Sequence, residues 1–323
     1  MESGRREGET QRVRADSEPE QIVVLCEMSL SMERIRTRFP SLEIIDISEG
    51  VPPGIRADVL FGGLTSHSTD AMATGVRWVQ MAGTGVDGAS REIRAAPILT
   101  SARGASAVAI SEYVLATMGA FVRRFPQNWL REAPDAWGFQ PAGVLAGTTL
   151  GLFGFGGIAQ QVARIALAMD MRVVALRRST GSSPVDGVEM VQSLSDLVSV
   201  ADHLVLAAPA TELTHQVINV DTFALMRPGM HLVNIARGTL VDHDALRTAL
   251  DDGTVARASL DVTDPEPLPA GHWLYEHPNV FLTPHASWTG PPVLQKATDF
   301  FCDNLERFLA GEALWGLVGE EGY

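Results

Sequence analysis

Thr148-Thr149-Leu150-Gly151-Leu152-Phe153-Gly154-Phe155-Gly156-Gly157-Ile158-Ala159 is the stretch from which the fold can be read. An apolar run of strand length stops at a glycine-rich turn, and a helical pattern continues to residue 168. A change of period across such a turn is the mark of a strand running straight into a helix. Gly154 permits the tight bend, Gly156 lets the backbone approach a pyrophosphate, and the small Ala159 lets the helix lie close on the sheet. Gly157 and Ile158, in the first turn of the helix, offer N–H groups to an anion. Glycine turns often join strand to helix without binding anything, and the strand–turn–helix context is what favours a nucleotide here.

Outward from this stretch, the next strand, 172–176, ends in Arg177-Arg178-Ser179-Thr180, with Arg177 lying 23 residues after Gly154. An acidic residue in that place accepts hydrogen bonds from the ribose hydroxyls of NAD. Two arginines and two hydroxyls instead form a cradle for a 2′-phosphate and predict NADPH in preference to NADH. The competing reading is a solvated basic loop that tolerates either cofactor. Further strands are expected at 203–207, 231–235, 256–261 and 279–282, with helices at 157–168, 194–198 and 244–251. Asp242 is placed to cap the last of these helices and Gly253 to stop it. Six strands with intervening helices match a dinucleotide-binding fold of two mononucleotide halves.

Upstream, strands at 21–26, 43–47, 58–61, 77–81 and 97–101 alternate with helical segments such as 31–39 and 69–75, which implies a second parallel sheet. The fold class expected is therefore α/β with two Rossmann-like domains. One is a flavodoxin-like substrate domain, and the other is an inserted, doubly wound dinucleotide-binding domain. Residues 21–103 and 291–323 would form the substrate domain, and 104–290 the dinucleotide-binding domain. A long helix at 107–124 and a loop holding Trp129, Pro134, Trp137 and Pro141 stand between the two sheets. Pro291 and Pro292 introduce a final amphipathic helix, 293–310, expected to pack back on the first domain. Two crossings of one boundary suggest a hinge over a ligand-binding cleft.

Composition agrees with a chain of this kind. At 323 residues the length suits two domains, and 46% apolar with 20% charged residues is globular. A net charge of −14 argues against a general nucleic-acid or anionic-membrane partner. Cys26 and Cys302 lack paired spacing, so they read as buried thiols and neither a disulfide framework nor a structural metal site is expected. Residues 1–20 are almost wholly polar with no apolar segment of signal-peptide type, and read as a disordered tail. No run approaches membrane-spanning length, and a cytoplasmic location is expected.

Three polar residues follow apolar runs and should sit where strands end: Arg237 in Val-Asn-Ile-Ala-Arg-Gly, Glu266 in Asp-Pro-Glu-Pro and His285 in Thr-Pro-His. That edge is where open α/β sheets bind ligands. A guanidinium, a carboxylate and an imidazole gathered there can clamp an anion and pass a proton to a carbonyl. A carboxylate beside an imidazole favours the charged ring, and general-acid help typically contributes 10²–10⁴-fold in rate. The plainer reading is a buried ion pair between Glu266 and His285 that fixes two loops, with Arg237 a charge flanking a helix. His67, His203, His215, His231, His243, His272 and His277 lack a comparable setting, and surface or capping roles suffice for them.

These motifs resemble the D-isomer-specific 2-hydroxyacid dehydrogenase family, which includes glyoxylate/hydroxypyruvate reductases. The likeness covers roughly residues 21–315 and rests on the glycine turn, Ala-Arg-Gly at 236–238, Leu-Asp-Val followed by Pro-Glu-Pro at 260–267, and Thr-Pro-His at 283–285. It implies reduction of a 2-oxo acid to a D-2-hydroxy acid with NADPH or NADH. Arg237 would hold the substrate carboxylate and C2 oxygen, His285 would donate the proton, and Glu266 would partner His285. Backbone N–H groups at Thr84 and Gly85 would hold the substrate carboxylate, with Leu64 on a facing loop. Ala208, Pro209 and Thr214 would line the cofactor cleft, and Ala236 and Asp261 would hold the nicotinamide amide. For Asp261 a strand-end turn residue is the competing reading. The resemblance further implies a homodimer, with Trp137 near a partner's active site.

Some positions depart from the family pattern. Gly157 stands where a larger polar residue is common, and Ala159 replaces a third glycine. Trp288 stands where hydroxypyruvate reductases often carry a small hydroxyl residue, so it would fill or roof the substrate pocket or else pack at the hinge. Formate dehydrogenases pair their histidine with an amide, which Glu266 argues against. Phosphoglycerate dehydrogenases commonly add a C-terminal regulatory domain, not expected after the final helix here. A nucleotide-sensing corepressor of the same fold, with little turnover, is the remaining alternative.

Overall fold

In the computed structural model the described residues are 22–319, apart from 139 and 180. The expected disordered tail and Thr180 lie outside them. The described chain forms two compact units. One takes the residues up to Ala102 and those from Ala297 onward; the other is Arg103–Lys296.

The first unit contains strands β1 (Val23–Cys26), β2 (Glu43–Asp46), β3 (Val59–Gly62), β4 (Trp78–Met81) and β5 (Ile98–Ser101). All pair in parallel, in the order β2-β1-β3-β4-β5, which is the flavodoxin-like order. Strands β3 and β4 are buried throughout, as an apolar strand covered on both faces must be. Helices α1 (Met32–Arg38), α2 (Ser66–Ala71) and α3 (Arg91–Arg94) belong to this unit. Helix α2 starts earlier than the apolar pattern suggests, because the Thr65 side chain caps it by accepting from Ser68 N. The helix expected at 69–75 is therefore α2 followed by a single tight turn ending at Gly75, whose φ is +99°.

The second unit opens with α4 (Ala107–Val122). Its sheet comprises β6 (Thr149–Phe153), β7 (Arg172–Leu176), β8 (Val188–Met190), β9 (His203–Leu206), β10 (Met230–Asn234), β11 (Val255–Leu260) and β12 (Val280–Leu282). The order is β12-β11-β10-β9-β6-β7-β8, a doubly wound parallel sheet whose winding reverses between β6 and β9. The sequence reading has six strands, and β8 is the seventh. It is a three-residue edge strand of partly exposed side chains, too short and too mixed to give a period. Helices α5 (Gly157–Ala168), α6 (Leu194–Val198), α7 (Val220–Phe223) and α8 (His243–Asp251) complete the unit. Asp242 caps α8 by accepting from Asp244 N and Ala245 N, and Gly253, at φ +82°, ends the turn that follows.

Helix α9 (Pro291–Leu309) contains the division between the units, after Lys296. From Ala297 on it packs in the first unit, where Phe301 stacks on Phe61 at 4.4 Å between ring centroids and lies against Trp78 at 5.5 Å. All three rings are fully buried, each contributing roughly 1.5–3 kcal/mol or more of apolar burial. Asn304, also fully buried, donates to Gln80 Oε1 and accepts from Trp315 N, so the polar groups under α9 are paired.

Two histidines need correction. His203 and His231 face each other across β9 and β10 and are buried, not surface or capping residues. Their Nδ1 atoms lie 3.2 Å apart, and His231 Nε2 reaches Ser259 Oγ at 3.0 Å. Phe121, at the end of α4, stacks on His231 with 4.6 Å between centroids. Burial pushes the His203 ring down to about 4 and holds His231 well below its ordinary value, so one neutral ring donates to the other. Nothing local in the sequence says that α4 covers these strand ends. Cys26 and Cys302 are free and buried, as expected.

Candidate active site

The glycine turn after β6 meets the loop after β9 where the sheet reverses. Gly154 has φ +94°, and a Cβ there would stand 2.5 Å from Ala208 N and 2.7 Å from the Ala207 carbonyl carbon. Glycine is thus demanded twice, by the left-handed turn and by the neighbouring loop. Gly156 and Gly157 are exposed, and a Cβ on either would meet nothing within 4 Å. Open space above the N-terminus of α5, with Ala159 buried beneath and Ile158 half-buried, suits a pyrophosphate. Ala208 is buried and Pro209 exposed; Thr214 Oγ1 donates to Pro209 O at 2.8 Å and accepts from Thr211 N at 2.8 Å. Thr214 therefore shapes the loop that borders this space.

At the end of β7 the Arg177 guanidinium braces its own loop, with Nε donating to Ser179 O at 3.1 Å and Nη2 to Ser182 O at 3.0 Å. Arg178 and Ser179 are exposed beside it. The loop after β7 is thus cationic and braced by its own arginine.

Strand β10 ends at Asn234, which is buried and shapes the turn that carries Arg237. Its Oδ1 accepts from Ala236 N at 3.0 Å, and its Nδ2 donates to Arg237 O at 2.8 Å. Arg237 is extended and half-buried, and its Nη1 donates to Ala236 O at 2.6 Å. The next residue, Gly238, admits no side chain, because a Cβ would overlap the backbone of Thr263 and Asp264. That contact binds the Arg237 turn to the loop that carries Glu266.

Glu266 is held at both oxygens. Oε1 accepts from Thr263 N at 3.0 Å, and Oε2 pairs with His285 Nδ1 at 2.8 Å. The Nδ1 contact leaves Nε2 as the ring atom available to a reactant. His285 adopts φ +51°, a left-handed conformation fixed by its own N–H donating to Asp261 O at 2.8 Å. Asp261 is buried, and its carboxylate gathers the loop: Oδ1 accepts from Thr283 Oγ1 at 2.6 Å, Ala286 N at 2.8 Å and Ser287 N at 3.0 Å. Thr283 Oγ1 also meets Tyr113 OH at 2.9 Å. Trp288 is exposed, and its indole N–H donates to His285 O at 2.8 Å, so it secures the backbone of the histidine.

The structure therefore brings Glu266 and His285 into direct contact and ties the turn of Arg237 to their support. In the first unit, Leu64 follows β3, Thr84 and Gly85 follow β4, and all three are exposed. Asn234, Gly238 and Tyr113 were not singled out from the sequence. Asn234 leaves a signal, a polar residue closing an otherwise buried strand; Tyr113 leaves none, because its partner lies 170 residues away. Among the described residues no three His, Cys, Asp or Glu side chains gather to hold a metal ion, and no helix is long and apolar enough to cross a membrane.

A doubly wound sheet with a pyrophosphate turn at its reversal and an imidazole–carboxylate pair at the same strand ends is the architecture of dinucleotide-dependent oxidoreductases. Comparison with known proteins narrows this. Residues 115–287 match the family model for the D-isomer specific 2-hydroxyacid dehydrogenase NAD binding domain. Glyoxylate/hydroxypyruvate reductase A of Serratia proteamaculans is 30% identical over 73% of this chain and 78% of its own length. The chloroplastic D-3-phosphoglycerate dehydrogenase 2 of Arabidopsis thaliana is 31% identical over 80% of this chain but 41% of its own length. A D-isomer specific 2-hydroxyacid dehydrogenase family protein from Aeromonas salmonicida superposes with a TM-score of 0.81 at 27% identity, covering 93% of this chain and 99% of that one. The chain belongs to the D-isomer specific 2-hydroxyacid dehydrogenase family. It spans about half the length of several curated relatives that it matches, from 41% to 57%.

Proposed function

We propose that the protein reduces a 2-oxo acid to the D-2-hydroxy acid, with NADPH preferred over NADH and a substrate of the glyoxylate or hydroxypyruvate kind or a bulkier one. The observation that carries this reading is the 2.8 Å contact between His285 Nδ1 and Glu266, which leaves Nε2 as the ring atom to meet a reactant. The nicotinamide, when bound, supplies the hydride that reaches C2. His285 donates its Nε2 proton to the C2 oxygen, and Glu266 stabilises the imidazolium before transfer. Arg237 pairs with the substrate carboxylate and opposes charge developing on the C2 oxygen. Gly154, Gly156, Gly157 and Ile158 form the pyrophosphate site, and Ala208, Pro209 and Thr214 border it. Arg177, Arg178 and Ser179 receive the 2′-phosphate, which no carboxylate side chain at this strand end repels. Ala236 and Asp261 approach the nicotinamide amide, although Asp261 already carries the His285 loop.

In the first unit, Thr84 and Gly85 offer backbone N–H groups to the substrate carboxylate, and Leu64 and Trp288 limit the substrate's size. Residues up to 103 and from 291 act as the substrate domain, and 104–290 as the cofactor domain. Trp129, Leu130, Trp137 and Val144 follow α4 with large exposed apolar surfaces, and this arm is the proposed seat of a homodimer. A cytoplasmic location goes with this chemistry. The test is turnover of 2-oxo acids of graded size with NADPH and NADH in parallel. Reduction with NADPH and D-product is expected; cofactor binding without turnover of any 2-oxo acid would refute the enzyme reading.

A further inference from the structure

In a parallel sheet of order β2-β1-β3-β4-β5 the winding reverses between β1 and β3, and loops leaving these strands in opposite directions open a ligand crevice. The first unit has a cavity of about 320 Å³ at this point. Its walls are Glu27 and Met28 after β1, Ser48 after β2, Gly62, Leu64 and Thr65 at and after β3, and Ala82 after β4. Glu27 is the one charged side chain among them. Its carboxylate is held in place: Oε2 accepts from Ser68 Oγ at 2.7 Å and from Gly63 N at 2.9 Å. Ser68 is fully buried and also accepts from Gly63 N at 3.0 Å. Gly62, at φ +152°, has no room for a Cβ because the Glu27 side chain occupies that space. The sequence around 60–68 is thus built to present this carboxylate at the switch point, and stability alone does not call for a half-buried acid there.

We infer that this cavity receives the end of the 2-oxo acid remote from its carboxylate, and that Glu27 sets the substrate class by accepting a hydroxyl donor there and rejecting a phosphate or second carboxylate. The inference rests on the proposed function, in which Thr84 and Gly85 hold the substrate carboxylate two and three residues beyond the cavity wall at Ala82. On that placement the third carbon would extend into the crevice lined by Leu64 and Glu27. A fixed carboxylate accepts from a terminal hydroxyl, whereas an anionic tail meets like charge on the same wall. None of the seven lining residues is a lysine or arginine that could neutralise a phosphate.

The experiment measures kcat/KM on the full chain for glyoxylate, hydroxypyruvate and the 3-phosphate ester of hydroxypyruvate, in wild type, Glu27→Gln and Ser48→Arg. Glutamine keeps an acceptor for Gly63 N and Ser68 while removing the charge. Wild type should prefer hydroxypyruvate over its phosphate ester by about a hundred-fold or more, and Glu27→Gln should reduce that ratio by about ten-fold. Ser48→Arg places a cation on another wall and should move the ratio the same way, which keeps the test sound if the Glu27 variant unfolds. A ratio unmoved in folded variants, or a wild type that reduces both substrates equally, overturns the inference and leaves the proposed function standing. A wild type that turns over only bulkier 2-oxo acids overturns this inference alone, and one that turns over no 2-oxo acid overturns the proposed function and this inference with it.

Discussion

Replacing Asp261 with alanine would remove the acceptor for three donors at once: Thr283 Oγ1, Ala286 N and Ser287 N. The threonine hydroxyl can turn to Tyr113 OH, which already lies 2.9 Å away. The two backbone N–H groups have no such alternative, and Ser287 is buried. Each stranded donor costs about 1–3 kcal/mol, so the variant should lose roughly 2–6 kcal/mol. In a unit this size a loss of that order lowers Tm by on the order of 10 °C and takes up a large part of the 5–15 kcal/mol that typically holds a protein folded. The freed loop carries His285, whose left-handed backbone is itself tied to Asp261 O. Displacement of a reacting group by about 1 Å can cost about a hundred-fold, and kcat should fall by that order. Asp261→Asn should be milder, since one oxygen remains for the Oδ1 partners. The measurements are calorimetric Tm, steady-state kcat, and NADPH affinity by fluorescence titration. A folded Asp261→Ala protein with unchanged Tm and kcat would refute the bracing role; intact kinetics with weakened NADPH binding would give Asp261 to the cofactor alone.

Arg177→Asp should weaken NADPH by roughly ten- to a hundred-fold relative to NADH, because a charge-assisted contact becomes repulsion; the ratio is the quantity to read, since the loop bonds to Ser179 O and Ser182 O are lost with either cofactor. Wild type using NADH as well as NADPH would contradict the cradle argument. Arg237→Ala should raise KM and lower kcat together, whereas His285→Ala should act mainly on kcat, by about 10²–10⁴-fold, with cofactor affinity little changed in both. Equal effects of the two variants on KM would refute this division of roles. His203 titrates at about 4 when folded and near 6.5 when unfolded, so only the unfolded chain takes up this proton between those values. Its contribution is therefore complete above about pH 6.5 and is lost as pH falls toward 4, amounting to about 3 kcal/mol at most. Denaturant unfolding of wild type and His203→Gln at pH 7 and pH 4 should show the larger loss in wild type, and equal losses would refute the assignment.

What could be read from the sequence is what neighbouring residues decide among themselves. The change of period at Gly154 marks strand and helix, Asp242 and Gly253 mark the limits of α8, and the short motifs around Arg237, Glu266 and His285 mark strand ends. Such signals reside within a few residues, because hydrogen-bond period, capping and turn geometry are local. What only the tertiary structure decided depends on strand order. That β6 pairs with β9 sets the Ala208 backbone against Gly154, and that α4 ends over β10 turns two polar-looking histidines into a buried neutral pair. Asp261 looks like a turn residue until the chain 22 to 26 residues later returns its donors to it, and Glu27 looks like the end of a strand until β3 is laid beside β1. Contacts between residues far apart in the chain carry no local pattern, so burial and partnership at these positions are properties of the assembled sheets.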